Sequence, residues 1–415
     1  MPPPGAPALL RRHNAALVMS VLFGESPLTR AEIARRAMLS KPTINEVVNE
    51  LIEAGFLEEV AAARITAPGR MGRRGRPIAV RGDGGYLLGV DIGAHKIQTL
   101  VSDLTGTVVA ADRRATAHPE RPQVGAILEQ TCESVLSALR SAGVGWDVVR
   151  AMGVGTPGDV DPTTGRLSLV PQIEGFEGLD LRAALQSWVP CPLYVDNEVH
   201  LAVLGERWRG AARGIDDAVL LNVGIGVAAG ILIGGALHRG STGAAGEIGY
   251  LPLDDEWSRR EDLGRWGALE YEAGGAAYAR LAKAAGERPE GAALRQLADG
   301  NPERLDAQAV FGAARAGDPE ARRIVDRLVG LLARSVASLD LVLDPSTIVV
   351  AGGIARAGAD LLGPLAERVN ALVPRPPRMV LTELGDDAVP LGAIFVAREA
   401  AWAPLRVSPF GDLGA

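Results

Sequence analysis

Lys41, Thr43, Asn45, Glu46 and Asn49 share one face of a helical stretch whose opposite face is apolar. Side chains of these kinds read DNA: amides, hydroxyls and carboxylates meet base edges in the major groove, while lysine and arginine meet phosphates. The spacing assigns Thr43, Asn45 and Glu46 to base edges, and Lys41 and Arg30 to phosphates. Further on runs Arg70-Met71-Gly72-Arg73-Arg74-Gly75-Arg76-Pro77. Arg-Gly-Arg-Pro in an exposed loop suits a narrow A·T-rich minor groove, where the negative potential is strongest. Arg70, Arg73, Arg74 and Arg76 are therefore expected on DNA. A second chemistry is suggested by two glycine turns, Asp91-Ile92-Gly93 and Gly224-Ile225-Gly226. Such turns at strand ends let backbone amides approach phosphates.

The polar face needs a helix, and local signals supply one. Thr29 is an N-cap with Glu32 three residues on, the spacing of a capping box. Ser40 is a second N-cap, and Pro42 is tolerated in the first turn, where amides have no partner to lose. Ile44, Val47, Val48, Leu51 and Ile52 form an apolar stripe at helical spacing, and Gly55 ends the helix. Helix, turn and helix in this order make a helix-turn-helix, whose second helix enters the major groove. Short apolar strands at Phe56–Val60 and Ile78–Val80 flank the arginines, an arrangement that resembles a winged helix.

The glycine turns sit in a duplicated body. Leu87–Asp91, Ile97–Ser102 and Thr107–Ala111 read as three strands, and Val219–Val223, Val227–Ile233 and Ala236–His238 repeat the set. Alternating helices and strands follow each, so two similar α/β lobes are expected to face a cleft. Ala218–Leu237 contains twenty residues without a charge, but five glycines interrupt it, and buried strands explain it better than a membrane span.

Charge separates the parts. Residues 1–81 hold 12 Lys+Arg against 7 Asp+Glu, a net of +5 in a chain of 415 residues whose total is −7. The remainder is acidic and repels DNA, which leaves the head as the nucleic-acid surface. Residues 1–8 are proline-rich and expected to be disordered, with no signal-peptide pattern. Cys132 and Cys191 suit neither a disulfide framework nor a cysteine metal site, which fits a reducing cytoplasm.

Six stretches carry a family resemblance: Leu88-Gly-Val-Asp-Ile-Gly, Gly153-Val-Gly-Thr-Pro-Gly-Asp-Val-Asp, Glu177-Gly-Leu-Asp-Leu, Leu204-Gly-Glu, Ala245-Gly-Glu-Ile-Gly and Val350-Ala-Gly-Gly-Ile. Nearly the whole chain resembles the ROK family of sugar kinases and sugar-responsive repressors, in which members with an N-terminal winged helix are transcriptional regulators. The resemblance implies an α/β fold with two actin-like, hexokinase-like lobes (a ribonuclease H-like duplication). It divides the chain into a winged helix-turn-helix at 9–81, a first lobe at 86–197 plus 388–402, and a second lobe at 198–387. In the turn between the two head helices the family uses glycine; here stands Met38, which would cost about 1 kcal/mol if its φ is positive.

The same resemblance marks departures from a kinase. Glu198 stands at the position of the catalytic aspartate and His200 at that of a family asparagine. Ala94 and His95 replace a glycine and a small hydroxyl residue in the first phosphate turn. The second turn reads Gly224-Ile225-Gly226-Val227-Ala228, without its hydroxyl and with one glycine filled. No catalytic residue and no ATP are therefore expected. The zinc pattern is replaced by Tyr250 and by Glu261–Glu270, so no zinc is expected either. Sugar-facing positions are kept: Asn197, Glu198, Glu247, Tyr250 and Glu270. The combined expectation is a cytoplasmic transcriptional regulator, a repressor of carbohydrate genes acting as a homodimer or homotetramer. It would bind a palindromic, partly A·T-rich DNA operator and respond to a sugar or sugar-phosphate effector. A dimer face is expected somewhere in Pro319–Leu343, where Ile324, Leu328, Leu331, Leu332 and Val336 form an apolar stripe that core burial explains equally well. The alternative is an active ATP-dependent sugar kinase that also binds DNA.

Overall fold

The computed structural model describes residues 6–61, 76–116, 123–161, 164–170, 173–253, 266–299, 301 and 304–402. The head begins with α1 (Ala6–Gly24), continues through α2 (Arg30–Ala37) and α3 (Lys41–Glu53), and closes with β1 (Leu57–Glu59) and β2 (Ile78–Val80). The capping box forms: the Thr29 amide donates to Glu32 Oε2 at 2.8 Å, and the Glu32 amide returns to Thr29 Oγ1 at 3.3 Å. Ser40 caps α3, and Gly55 takes φ +80° after it. Met38 adopts φ 54° and ψ 37°, the left-handed region.

β1 is shorter than the expected Phe56–Val60 while β2 spans Ile78–Val80 as expected, and antiparallel pairing sets Leu57 opposite Val80. The expected disorder of residues 1–8 does not extend to Ala6, where α1 starts. That helix was not anticipated, and it buries Ala16, Val18, Met19 and Leu22 against the stripe of α3. Arg70, Arg73 and Arg74 lie outside the described residues.

The first lobe contains β3 (Tyr86–Ile92), β4 (Lys96–Asp103), β5 (Val108–Ala115), α4 (Val124–Ala142), β6 (Val149–Thr156), β7 (Asp159–Val160), β8 (Leu167–Ser168), α5 (Leu181–Gln186) and β9 (Leu193–Asn197). Next come α6 (Glu198–Arg209), β10 (Ala218–Val223), β11 (Val227–Ile233) and β12 (Ala236–Leu237). The second lobe adds α7 (Ala268–Ala273), α8 (Gly275–Gly286), α9 (Ala292–Ala298), α10 (Ala307–Arg315), α11 (Pro319–Leu343), β13 (Thr347–Ala351), α12 (Ala359–Leu372) and β14 (Arg378–Leu381). The last described helix is α13 (Ala388–Ala400).

Two five-stranded sheets have matching orders, β5-β4-β3-β6-β9 and β12-β11-β10-β13-β14. In each, an antiparallel meander feeds a parallel half, so the duplicated sequence pattern becomes a duplicated sheet. Ala218–Leu237 forms the meander of the second sheet, and no described helix is long and apolar enough to cross a membrane. The stripe on α11 takes the second of the two readings the sequence allows, burial in the chain's own core. Ile324, Leu328, Leu331, Leu332 and Val336 are buried in the second lobe's own core with Tyr278 and Phe311, which leaves none of them for a dimer face.

Candidate ligand cleft and nucleic-acid face

The parallel strands of a twisted α/β sheet present their carboxyl ends to ligands, and the chemistry-bearing residues collect there. Asp91 lies near the end of β3, Asp159 follows β6, and Asn197 ends β9. Glu198 opens α6, Glu247 precedes a short 3-10 turn carrying Tyr250, and Glu270 lies on α7. These carboxylates come from both lobes and influence one another's ionisation.

Burial, then repulsion from Asp91, pushes Glu198 up to about 8, although Lys96 opposes the rise. Burial, with Asp159, Glu270 and Glu198 nearby, also lifts Glu247 to about 8. Glu247 and Asp159 are hydrogen-bonded through their side chains, so this pair shares a proton. Burial next to Glu270 and Glu247 raises the Tyr250 phenol to about 12. At neutral pH, Glu198 and Glu247 therefore carry protons. Each can then donate as well as accept, which suits vicinal hydroxyls.

Asn197 plays a different part from the one assigned by resemblance. It is 5% exposed, its Oδ1 accepts the Val199 and His200 amides at 2.7 and 3.2 Å, and its Nδ2 donates to Gly158 O at 2.8 Å. It is the N-cap of α6 and helps to set the position of Glu198. Behind it lies a network that sequence reasoning missed. Asp196 receives Arg239 at 2.7 Å and pairs with His200 Nδ1 at 3.0 Å, while Arg239 also donates to the Tyr194 hydroxyl at 2.6 Å. Burial opposes ionisation of Asp196, yet His200 and Arg239 outweigh it and hold the carboxyl down at about 2. The spacing of Asp196 and His200, four apart across a strand-to-helix junction, was the available signal.

The two glycine turns link β3 to β4 and β10 to β11. Ala94 is buried, and the Gly93 amide donates to Lys96 O at 2.8 Å. The Lys96 ammonium lies 3.3 Å from Asp91 and 3.4 Å from Asp386. Asp386 also receives Arg113 at 2.6 Å and Arg356 at 2.9 Å. In the second turn the Gly224 amide donates to Gly226 O at 2.9 Å, and a Cβ at Gly226 would come within 2.5 Å of Glu270 Oε1. His95 and Ile225 are exposed. Of Glu261–Glu270, only Trp266 onward is described, and there Ala268 and Leu269 are buried.

On the head, Lys41, Asn45, Glu46 and Asn49 are exposed along one face of α3. Thr43 is half-buried, with its hydroxyl 2.8 Å from Ser40 Oγ, so part of its bonding capacity serves the cap. Arg30 is drawn inward to Asn45 O at 3.4 Å and Glu59 at 3.3 Å. Arg76, 78% exposed, lies 3.6 Å from the same Glu59 and retains most of its freedom.

With the geometry described, resemblance to known proteins becomes informative. The profile of the ROK family matches residues 87–400. The xylose repressor of Caldicellulosiruptor bescii is 26% identical over 88% of this chain and 89% of its own length. A ROK family glucokinase from Streptomyces griseus, solved with glucose and AMPPNP, is 30% identical with a TM-score of 0.66, covering 76% of this chain and all of its own. A ROK family transcriptional regulator, described as a homologue of the E. coli MLC protein, has a TM-score of 0.77 at 20% identity, covering 96% of this chain and 98% of its own. The glucokinase thus covers 76% of this chain, and the repressor and the regulator cover 88% and 96%.

Proposed function

Because the chain belongs to the ROK family, we propose that it is a sugar-responsive transcriptional repressor whose body senses rather than phosphorylates. The N-terminal unit is read as a winged helix-turn-helix that docks α3 in the major groove and the arginine loop on the adjacent backbone and minor groove. The carrying observation is the pairing of that head with a cleft in which Glu198 holds a proton and Lys96 is consumed by Asp91 and Asp386. A sugar kinase needs a carboxylate ready to take a proton and turns open to phosphate. The raised Glu198 and the pairing of Lys96 with Asp91 and Asp386 support a body that senses hydroxyls rather than one that phosphorylates them. No zinc and no ATP are assigned to the protein. The similarity to a repressor over nearly 90% of both chains supports the same reading.

The test is operator binding by fluorescence anisotropy, using duplexes selected from a random-sequence pool and titrated with neutral and phosphorylated sugars. A sugar-dependent change of about 5–150-fold in affinity is expected, the usual range of allosteric coupling. A coupled assay with ATP and the same sugars is expected to give no turnover, and turnover near 1 per second would reverse the reading.

A further inference from the structure

The most unusual buried group in the molecule is Arg398, near the end of α13. It is 5% exposed, its Nε has no hydrogen-bond partner, and no ion pair reaches it among the described residues. Its guanidinium lies 4.6 Å from the ring centroid of Phe23, 5.0 Å from Trp208 and 5.4 Å from Phe395. Burial depresses its pKa to about 10. A buried cation with an unpartnered Nε is costly, and aromatic faces provide only part of what water would. The three rings belong to three elements: Phe23 to α1 of the head, Trp208 to the last turn of α6, and Phe395 to α13 itself.

Each of those elements has its other end or face fixed. The first residue of α6, Glu198, stands in the cleft, and Asn197 and the Asp196–Arg239 network set its position. Along its length, α6 meets α13 backbone to backbone, because a Cβ at Gly205 would strike Ala388 O and one at Gly392 would strike Leu201 O. Contacts made through glycine leave no side chain to absorb a shift. The far end of α6 is also held, with Arg209 donating to Thr105 O at 3.0 Å and stacking 4.2 Å over Trp208. On the head side, Trp402 packs edge-on to Phe56 at 5.0 Å, and Leu22, Leu87, Ile394 and Trp402 share one continuous core. The head is thus docked on the first lobe, and α6 runs from the ligand cleft to the docking contact.

We infer that Arg398 is a positioning residue through which displacement of α6 at the cleft reaches α1 of the DNA-binding head. This rests on the sugar-responsive reading above and adds the route by which the response travels. The planar guanidinium fixes the mutual orientation of three rings. A methionine would fill the same space without fixing it, and a lysine would keep the charge without the plane.

The experiment uses the full-length chain, a duplex selected by the wild type from a random-sequence pool, and D-glucose, D-xylose and N-acetyl-D-glucosamine as probes. For a probe that shifts the wild-type Kd for DNA, Arg398→Met and Arg398→Lys are expected to reduce the shift to under about twofold, against the usual 5–150-fold. Both variants should bind that probe with wild-type affinity and melt in one transition, an outcome that a merely structural role would not give. Full wild-type coupling in both variants overturns the inference. If no probe moves the wild type, the sugar-responsive reading has failed, and hydrogen exchange then decides on Arg398. Faster exchange in both variants, confined to Val18–Gly24 and the last turn of α6, supports the contact as the head's anchor. Unchanged exchange there overturns it.

Discussion

Met38 is 90% exposed and sits in the left-handed region at φ 54°. No packing would be lost by removing its side chain, so substitution acts on backbone strain alone. Relief of about 1–2 kcal/mol, less about 0.4–1 for the looser unfolded chain, leaves Met38→Gly more stable by about 0.5–1 kcal/mol, as measured by denaturant melting. A loss of stability would mean that the turn does not carry the strain assigned to it. Glu247 makes a second prediction at this scale. In the folded chain it keeps its proton to about pH 8, against an ordinary value of 4.5. Between those values unfolding releases a proton, so the contribution is complete below 4.5 and gone above 8, and stability falls as pH rises. Glu247→Gln should flatten the decline between pH 5 and 8, by up to about 1.4 kcal/mol per pH unit for the one proton removed. A wild type whose melting temperature does not fall over that range would contradict the shared proton. Glu198, Glu247, Tyr250 and Glu270 were singled out by the family resemblance alone. Their protonation was not legible in the sequence, because it depends on which carboxylates the two lobes bring face to face.

At the scale of elements, α3 was the most legible part of the chain. Its caps, stripe and terminating glycine are all local signals, and Lys41–Glu53 formed as the spacing required. Its outward face yields a prediction. Asn45 is exposed, and its amide can pair two ways with an adenine edge, so Asn45→Ala should weaken selected-duplex binding by about 1–3 kcal/mol. Binding to a scrambled duplex should change little, and an equal loss on both would make Asn45 a backbone contact. Two elements escaped sequence reading for opposite reasons. The 19-residue α1 follows a proline-rich start and starts within the stretch 1–8 expected to be disordered; tertiary burial makes it helical. The stripe on α11 was visible, but periodicity reports only that a face is buried, not whether the partner is the same chain. Here the partner is the second lobe's own core.

Across the whole molecule, charge and connectivity act together. The head carries a net of +5 in a chain of net −7, so the body repels the DNA that the head attracts. Attraction therefore has to be concentrated in a few phosphate contacts; α3 carries only Lys41, and Arg30 at the start of α2 is drawn to Glu59. The rest falls to the arginine loop, of which Arg76 projects into solvent and Arg73 and Arg74 lie outside the described residues. Replacing Arg73, Arg74 and Arg76 with alanine should lower affinity for any duplex and make its salt dependence shallower. The log–log slope should drop by roughly 0.9 for each phosphate contact removed. Because the head is docked on the first lobe through Phe23, Phe56 and Trp402, loss of loop contacts leaves its orientation unchanged. The sugar-induced fold-change in the triple variant should accordingly match the wild type even as absolute affinity falls. An unchanged slope would remove the arginines from the phosphate backbone. A lost sugar response with a reduced slope would place the switch in the loop rather than in the docked helices.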